Sequence, residues 1–198
     1  MLMSFDVTHL YISLTVLAVV LIVLWMQKRS LSRLFFCAIF GIYLIGVVSV
    51  VVFPIHIPET GMEFNRRLQL NFVPFNFGRC DFLPLCIKNI YENILLAIPF
   101  GFGVSFILRL KPKNIIWLAI AVGLCFELIQ LIIALIVHSP FRVVDINDVI
   151  LNATGVLLGY GIFIIFGRLY LTIVQRFHIQ PKYILMYVHD VVTPHIDR

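Results

Sequence analysis

Two polar side chains interrupt a long apolar stretch in the middle of the sequence. Glu127 and Gln130 stand three positions apart, so they share one face of a helix. If this stretch crosses a membrane, an ionisable group there is costly and normally faces other helices, where it is paired, protonated or reached by water. Glu127 is therefore a candidate site carboxylate. The alternative is a hydrogen-bonded group that only clamps helices together.

A second polar cluster follows a short break in hydrophobicity. Pro140 can begin a helix, and Asp145, Asp148 and Asn152 would then lie on one of its faces, at i, i+3 and i+7. An acidic residue at a helix start also stabilises the positive end of that helix. This role explains one aspartate, but not two aspartates together with Arg142 and an asparagine. The pattern therefore favours a binding site.

Small residues extend these polar faces. The face that carries Asn152 continues to Gly155 and Gly159, a pair that lets another helix approach closely. A third stripe is spaced by four and combines amides with small residues: Asn89, Asn93, Ala97 and Gly101. By itself this third stripe indicates helix packing more than chemistry.

The three clusters are predicted to converge, from three helices, on one cavity that opens to the outside. The candidate ligand-binding residues are Asn93, Glu127, Gln130, Arg142, Asp145, Asp148 and Asn152. Glu127 and Asp148 are also candidates for a general acid or base, because a carboxyl group in a desolvated site can exchange protons with a substrate.

The same oxygen-rich set raises the question of a bound cation. Asp145, Asp148, Glu127 and Asn152 offer the oxygen ligands that Mg²⁺ or Ca²⁺ prefers. A competing arrangement pairs Arg142 with a carboxylate, without metal. The six histidines are scattered, and no serine–histidine–aspartate order or nucleotide-binding loop is visible. We predict no resident metal and no cofactor.

Composition places these clusters in a membrane. Of 198 residues, 61% are hydrophobic and 13% charged, whereas soluble proteins contain roughly half apolar and a quarter charged residues. We predict a single membrane domain over 1–198, an all-α polytopic bundle of about five transmembrane helices. The predicted spans are Leu10–Met26, Leu34–Phe53, Ile94–Leu110, Ile115–Val137 and Val149–Phe166. The fifth span can continue to about Val174, whereas Tyr183–Val192 is too short to span and is predicted to be interfacial.

The basic residues predict the orientation. The net charge is +5, and the lysines and arginines collect at the ends of apolar runs, which does not favour nucleic acid as a partner. Short loops rich in Lys and Arg stay in the cytoplasm, and here they follow the first, third and fifth spans. We therefore predict an amino terminus outside, an extracytoplasmic segment over 54–93 and a cytoplasmic tail over 170–198.

The extracytoplasmic segment carries two cysteines. Cys80 and Cys86 are close enough in sequence for a disulfide bond, and such bonds persist outside the cell. We name this pair as a disulfide candidate and leave free thiols as the alternative.

At these residues the sequence resembles the VanZ-like family of bacterial membrane proteins. The resemblance covers roughly 71–160, and its pieces are individually weak but jointly specific. They are Asn71-Phe72-Val73-Pro74-Phe75, Asn93-Ile94-Leu95-Leu96-Ala97-Ile98-Pro99-Phe100-Gly101, Glu127-Leu128-Ile129-Gln130 and Arg142-Val143-Val144-Asp145-Ile146-Asn147-Asp148, followed by Asn152, Gly155 and Gly159.

The resemblance implies a multi-pass protein of the bacterial cytoplasmic membrane and a role in resistance to teicoplanin and related lipoglycopeptides. Three hypotheses follow. The first is engagement of a membrane lipid, a lipid-linked cell-wall precursor or a lipoglycopeptide in the outward cavity. The second is an enzyme that acts on a lipid-linked precursor, and the third is a structural scaffold. The sequence leaves the reaction and the oligomeric state open.

Overall fold

The computed structural model describes residues 2–56, 70–76, 83–108, 110–137 and 144–196. The helices in these ranges are α1 (Val7–Met26), α2 (Leu31–Val51), α3 (Leu83–Ile107), α4 (Pro112–Val137), α5 (Ile146–Arg176) and α6 (Ile184–Ile196). The short strands are β1 (Leu2–Met3), β2 (Ile55–His56), β3 (Leu70–Asn71) and β4 (Val144–Asp145). Five helices, α1 to α5, are long and apolar enough to cross a membrane, which confirms the predicted all-α membrane fold.

Two helices are longer than their apolar parts. Helix α3 begins at Leu83, well before the predicted span, and α5 runs to Arg176. The segment 54–93 therefore contains the first turns of α3, and the segment 170–198 contains the end of α5 and all of α6. Hydropathy delimits the part of a helix that suits lipid, whereas hydrogen bonding continues the helix through flanking polar residues.

Helix α5 lies at the centre of the fold and makes its most extensive contacts with α3, then with α4. The contact with α3 is a backbone-to-backbone approach. A Cβ atom at Gly155 would meet the carbonyl oxygen of Ile94, and a Cβ atom at Gly159 would meet that of Ile98. From the other side, a Cβ at Gly101 would meet the carbonyl of Val156. The predicted role of Gly155 and Gly159 in close helix approach is confirmed.

Helix α2 packs on the outer side of α3. The ring of Phe36 stacks on Phe106 with centroids 4.5 Å apart. The hydroxyl of Tyr43 donates to the carbonyl of Leu96 at 2.6 Å, close to Pro99, and so joins α2 to α3. Helix α1 packs against α2 and contains no buried residue.

Helix α6 returns to the bundle after α5. Its buried residues are Val188, Val191 and Val192, which join the core around Phe163 of α5. The Nδ1 atom of His195 lies 3.1 Å from the hydroxyl oxygen of Tyr160. The apolar residues Ile184, Leu185 and Met186 at its start are exposed, and the interfacial position predicted for this segment stays a prediction.

Two short strand pairs tie together the segments that connect the helices. β1 pairs antiparallel with β2, and β3 pairs parallel with β4. In the second pair Asn71 stands beside Asp145. This pairing joins two parts of the chain far apart in sequence at one end of α5.

The close approach of α3 and α5 leads to a matched prediction. Gly159→Ala places a methyl group against the backbone of α3, so it is expected to destabilise the fold by about 1–3 kcal/mol. Gly161→Ala meets nothing within 4 Å and is expected to be neutral or stabilising by up to about 1 kcal/mol. Denaturant unfolding of the purified variants in detergent checks both values, and equal effects at the two positions would contradict this packing.

The orientation from the charge distribution stays a prediction with a direct test. A fluorescent protein fused after residue 198 is expected to fluoresce, because it remains in the cytoplasm, and alkaline phosphatase fused there is expected to be inactive. The opposite pair of results would reverse the orientation.

Candidate functional site

Asp145 lies at the start of α5 and not on its face. Its backbone is extended, with φ −125° and ψ 123°, and its side chain accepts a hydrogen bond from the backbone N–H of Asn147. The prediction that a helix beginning near Pro140 carries Asp145 is therefore wrong at this residue. Pairing with β3 keeps Asp145 extended, and its carboxylate then serves as the helix cap.

One oxygen of Asp145 collects several donors. Oδ1 accepts from the Asn147 backbone N–H at 2.8 Å, from Asn147 Nδ2 at 2.9 Å and from Asn71 Nδ2 at 3.0 Å. These bonds join β3 to the first turn of α5. They make Asn71 and Asn147 part of the site, although the sequence pattern had assigned neither a role.

Asn147 also holds the turn that follows β3. Its Oδ1 accepts from the backbone N–H of Phe75 at 2.6 Å, and its Nδ2 donates to the carbonyl of Asn76 at 3.0 Å. Phe75 has φ 61°, a conformation that bulky residues rarely adopt, so the turn needs such external support. Because Asn147 is only 2% exposed, these bonds form away from water.

Glu127 fixes the same region from α4. Its Oε2 accepts from the backbone N–H of Asp145 at 2.9 Å, and the side chain is 5% exposed. Gln130 on the same face is also buried, but within the described ranges no hydrogen bond joins its side chain to another residue. Glu127 thus connects α4 with the start of α5, whereas Gln130 fills the interface.

Asp148 joins α5 to α3. Its Oδ1 accepts from Asn93 Nδ2 at 2.9 Å and, more weakly, from Asn89 Nδ2 at 3.5 Å. One turn further along α5, Asn152 Nδ2 donates to the carbonyl of Asp148 at 2.8 Å and lies 3.5 Å from Asn93 Oδ1. The structure therefore brings together the polar stripes of α3 and α5.

A cavity of about 430 Å³ lies beside this contact. Among the described residues, its wall includes Cys86, Lys88, Asn89, Ile90, Glu92, Asp145 and Asp148. Four predicted residues do not line this cavity: Asn93, Glu127, Gln130 and Asn152. This cavity therefore does not expose all the predicted polar residues; Glu127, Gln130 and Asn152 are buried, and Asn93 is half-buried.

The described wall residues carry unequal numbers of positive and negative charges. Lys88 and Glu92 form an exposed ion pair at 3.7 Å on one turn of α3. The two aspartates stand opposite, on the α5 side. In the described wall there are thus three carboxylates and a single lysine.

Arg142 and Cys80 lie outside the described residues, so the predicted roles of Arg142 and of a Cys80–Cys86 bond stay predictions. Cys86 itself is disulfide-bonded, whereas Cys37 and Cys125 are free thiols. In the parts of the chain that the structure describes, no group of three His, Cys, Asp or Glu side chains is arranged to hold a metal ion.

The five apolar helices, with a polar site between α3, α4 and α5, define a multi-pass α-helical membrane protein. The family model of VanZ/LLP1 matches residues 40–167, and the chain belongs to this family. The match includes α3, α4 and most of α5, which are the helices that build the site. No curated protein and no solved structure matches the chain.

Asn147 provides a test of the network. Asn147→Ala removes one acceptor and two donated hydrogen bonds from a buried position, so we expect a loss of about 2–4 kcal/mol in the free energy of unfolding. Asn114→Ala is the matched control, because Asn114 is an exposed asparagine near the start of α4. Denaturant unfolding in detergent measures both variants, and an Asn147→Ala variant as stable as the control would contradict the network.

Proposed function

We infer that this protein engages an amphiphilic molecule of the cell envelope, with the polar head in the cavity between α3 and α5. The observation that carries this function is the cavity itself. Its wall presents charged and amide groups from two helices beside the membrane-spanning region. Such convergent polar groups orient a ligand, and the neighbouring apolar surface provides contact area.

Apolar surfaces adjoin the cavity on two sides. On α3, Ile87, Tyr91 and Leu95 repeat at every fourth position and are exposed, next to the cavity residues of the same helix. On the other side, the turn held by Asn147 exposes Phe72 and Phe75. An acyl chain attached to a head in the cavity has a path along either surface, as a lipoglycopeptide or a lipid-linked precursor requires.

Two further hypotheses from the sequence receive different support. An enzyme that uses Glu127 as the acid or base of this cavity is disfavoured, because Glu127 is buried and hydrogen-bonded to the backbone of Asp145. A scaffold role is supported for Asn147, whose side chain is engaged by protein groups. Asp148 also accepts a hydrogen bond from Asn93, but unlike Asn147 it forms part of the cavity wall.

With its family membership, this geometry supports a contribution to resistance against teicoplanin-type lipoglycopeptides, exerted at the outer face of the cytoplasmic membrane. Expressed in a susceptible bacterium, the protein is expected to raise the inhibitory concentration of an acylated glycopeptide more than that of a glycopeptide without the acyl chain. Asp148→Asn keeps the shape of the side chain and its contact with Asn93 but removes the charge, and we expect it to abolish the increase.

Asp190→Asn serves as the control, since Asp190 is an exposed residue of α6. Protein abundance in the membrane is measured by immunoblot for each variant. Loss of resistance together with equal loss of abundance would assign Asp148 a structural role. Full resistance in a normally abundant Asp148→Asn variant would overturn the proposed function.

A further inference from the structure

Four basic side chains belong to two segments at the end of the bundle opposite the cavity. Helix α1 ends here and α2 begins here, so this end is also a boundary of the membrane-spanning helices. We call the four residues the basic corner. They are Lys28 and Arg29 between α1 and α2, Arg33 in the first turn of α2, and Lys182 just before α6.

Contacts of α2 and α6 with the end of α3 bring the two segments together. The ring of Phe36 stacks on Phe106, and its centroid lies 5.4 Å from that of Tyr187. The Tyr187 hydroxyl also donates to the carbonyl of Phe106 at 2.5 Å. Arg33 stands about one helical turn before Phe36, and Lys182 stands a little more than one turn before Tyr187.

The direction of α6 places Lys182 at the same end as the start of α2. The Tyr170 hydroxyl donates to the carbonyl of Leu185, while His195 lies beside Tyr160, so α6 runs antiparallel to α5. Helix α3 runs parallel to α5 along their glycine contacts. The start of α6 therefore lies near the ends of α3 and α5, and the basic corner is one continuous surface.

No carboxylate compensates the basic corner among the described residues. Its members other than Arg33 are exposed, and in this part of the chain none of them forms an ion pair. Arg33 is half-buried and donates to the carbonyl of Ile107 at 3.3 Å, a contact that leaves its positive charge uncompensated. The sequence has no acidic residue over 27–33 or 169–189. The corner therefore attracts an anion.

Exposed apolar and aromatic side chains adjoin the basic corner. Tyr183, the first residue after it, is 88% exposed, and Ile184, Leu185 and Met186 are exposed as well. Trp25, in the last turn of α1, is 65% exposed. Tyrosine and tryptophan at the ends of membrane spans favour the head-group region, where their rings contact both polar and apolar groups. The surface thus combines cations with groups suited to a lipid layer.

We propose that the basic corner binds the head group of an anionic phospholipid, whose acyl chains contact the neighbouring apolar residues. A lipid fits this surface better than a soluble anion or an acidic protein, because the surface lies where membrane-spanning helices end. Phosphatidylglycerol carries a net negative charge and phosphatidylcholine carries none, so the corner distinguishes the two lipids. This surface is separate from the cavity and does not depend on the function proposed for it.

The test measures which lipid lies beside Trp25, whose carbonyl accepts from the backbone N–H of Lys28. The chain contains two tryptophans, so Trp117→Phe leaves Trp25 as the sole fluorophore of this type. The full-length variant is placed in nanodiscs of phosphatidylcholine and phosphatidylglycerol, one of which carries bromine atoms that quench tryptophan fluorescence. Relative to its share of the bilayer, phosphatidylglycerol is expected to be enriched at Trp25 at least about tenfold, since each nearby basic residue contributes about fivefold.

Lysine variants with a matched control show whether the corner acts locally. Lys28→Gln and Lys182→Gln are each expected to lower the enrichment about fivefold, and the double variant is expected to remove it. Lys182→Arg keeps the charge and is expected to keep the enrichment. Lys113→Gln is the control with the same change in net charge, because Lys113 is exposed on α4, which packs mainly against α5. It is expected to leave the enrichment unchanged.

Quenching by brominated phosphatidylcholine alone is measured for every variant, and an unchanged value shows that Trp25 keeps its surroundings. Equal quenching by the two lipids, or an enrichment that persists in the double variant, would overturn the proposal. An equal loss in Lys113→Gln would also overturn it, because the overall charge would then be the cause. Inorganic phosphate at matched ionic strength is expected to have no effect; if it abolishes the enrichment, the corner binds a soluble anion and the lipid proposal is wrong.

Discussion

The close approach of α3 and α5 is the constraint on which the rest of the structure depends. Glycines at Gly101, Gly155 and Gly159 let the two backbones touch, because any side chain there would meet a carbonyl oxygen of the facing helix. At the end of the same seam, Asn93 and Asp148 face each other at hydrogen-bond distance. Without the small residues the amide and the carboxylate would be too far apart to interact, and the cavity beside them would have no second wall.

The polar groups around the seam divide into two sets with different physical roles. Glu127, Asn147 and Asn152 are buried and make hydrogen bonds to backbone groups. Groups of this kind stabilise one arrangement of the chain, because breaking the bonds would leave polar atoms unsatisfied. Asn89 and Asp148 line the cavity, and Asp145 belongs to both sets, because its Oδ1 accepts hydrogen bonds from Asn71 and Asn147 while the residue also lines the cavity. A cavity-lining group held in this way has a rigid support.

Several parts of the site were predictable from residue spacing. Helical periodicity places Asn93 on one stripe of α3, and it places Asp148, Asn152 and the glycines of α5 on one face of that helix. The contact between this stripe and this face was therefore expected. The burial of Glu127 was predictable, because it lies in an apolar span. Its hydrogen-bond partner was not, because this partner is the backbone N–H of Asp145 in a short strand. Asn71 and Asn147 were missed, because asparagines outside an apolar run are common in turns and have no periodicity that marks them.

The sequence by itself determined the class of protein, the number of membrane-crossing helices and the faces on which their polar and small residues lie, since these depend on local hydropathy and on the fixed geometry of a helix. Tertiary structure alone decided that Asp145 is a cap in an extended segment, that β3 lies beside β4, and which polar groups border the cavity and which are buried. These features depend on contacts between residues far apart in the chain, and no local pattern specifies such contacts.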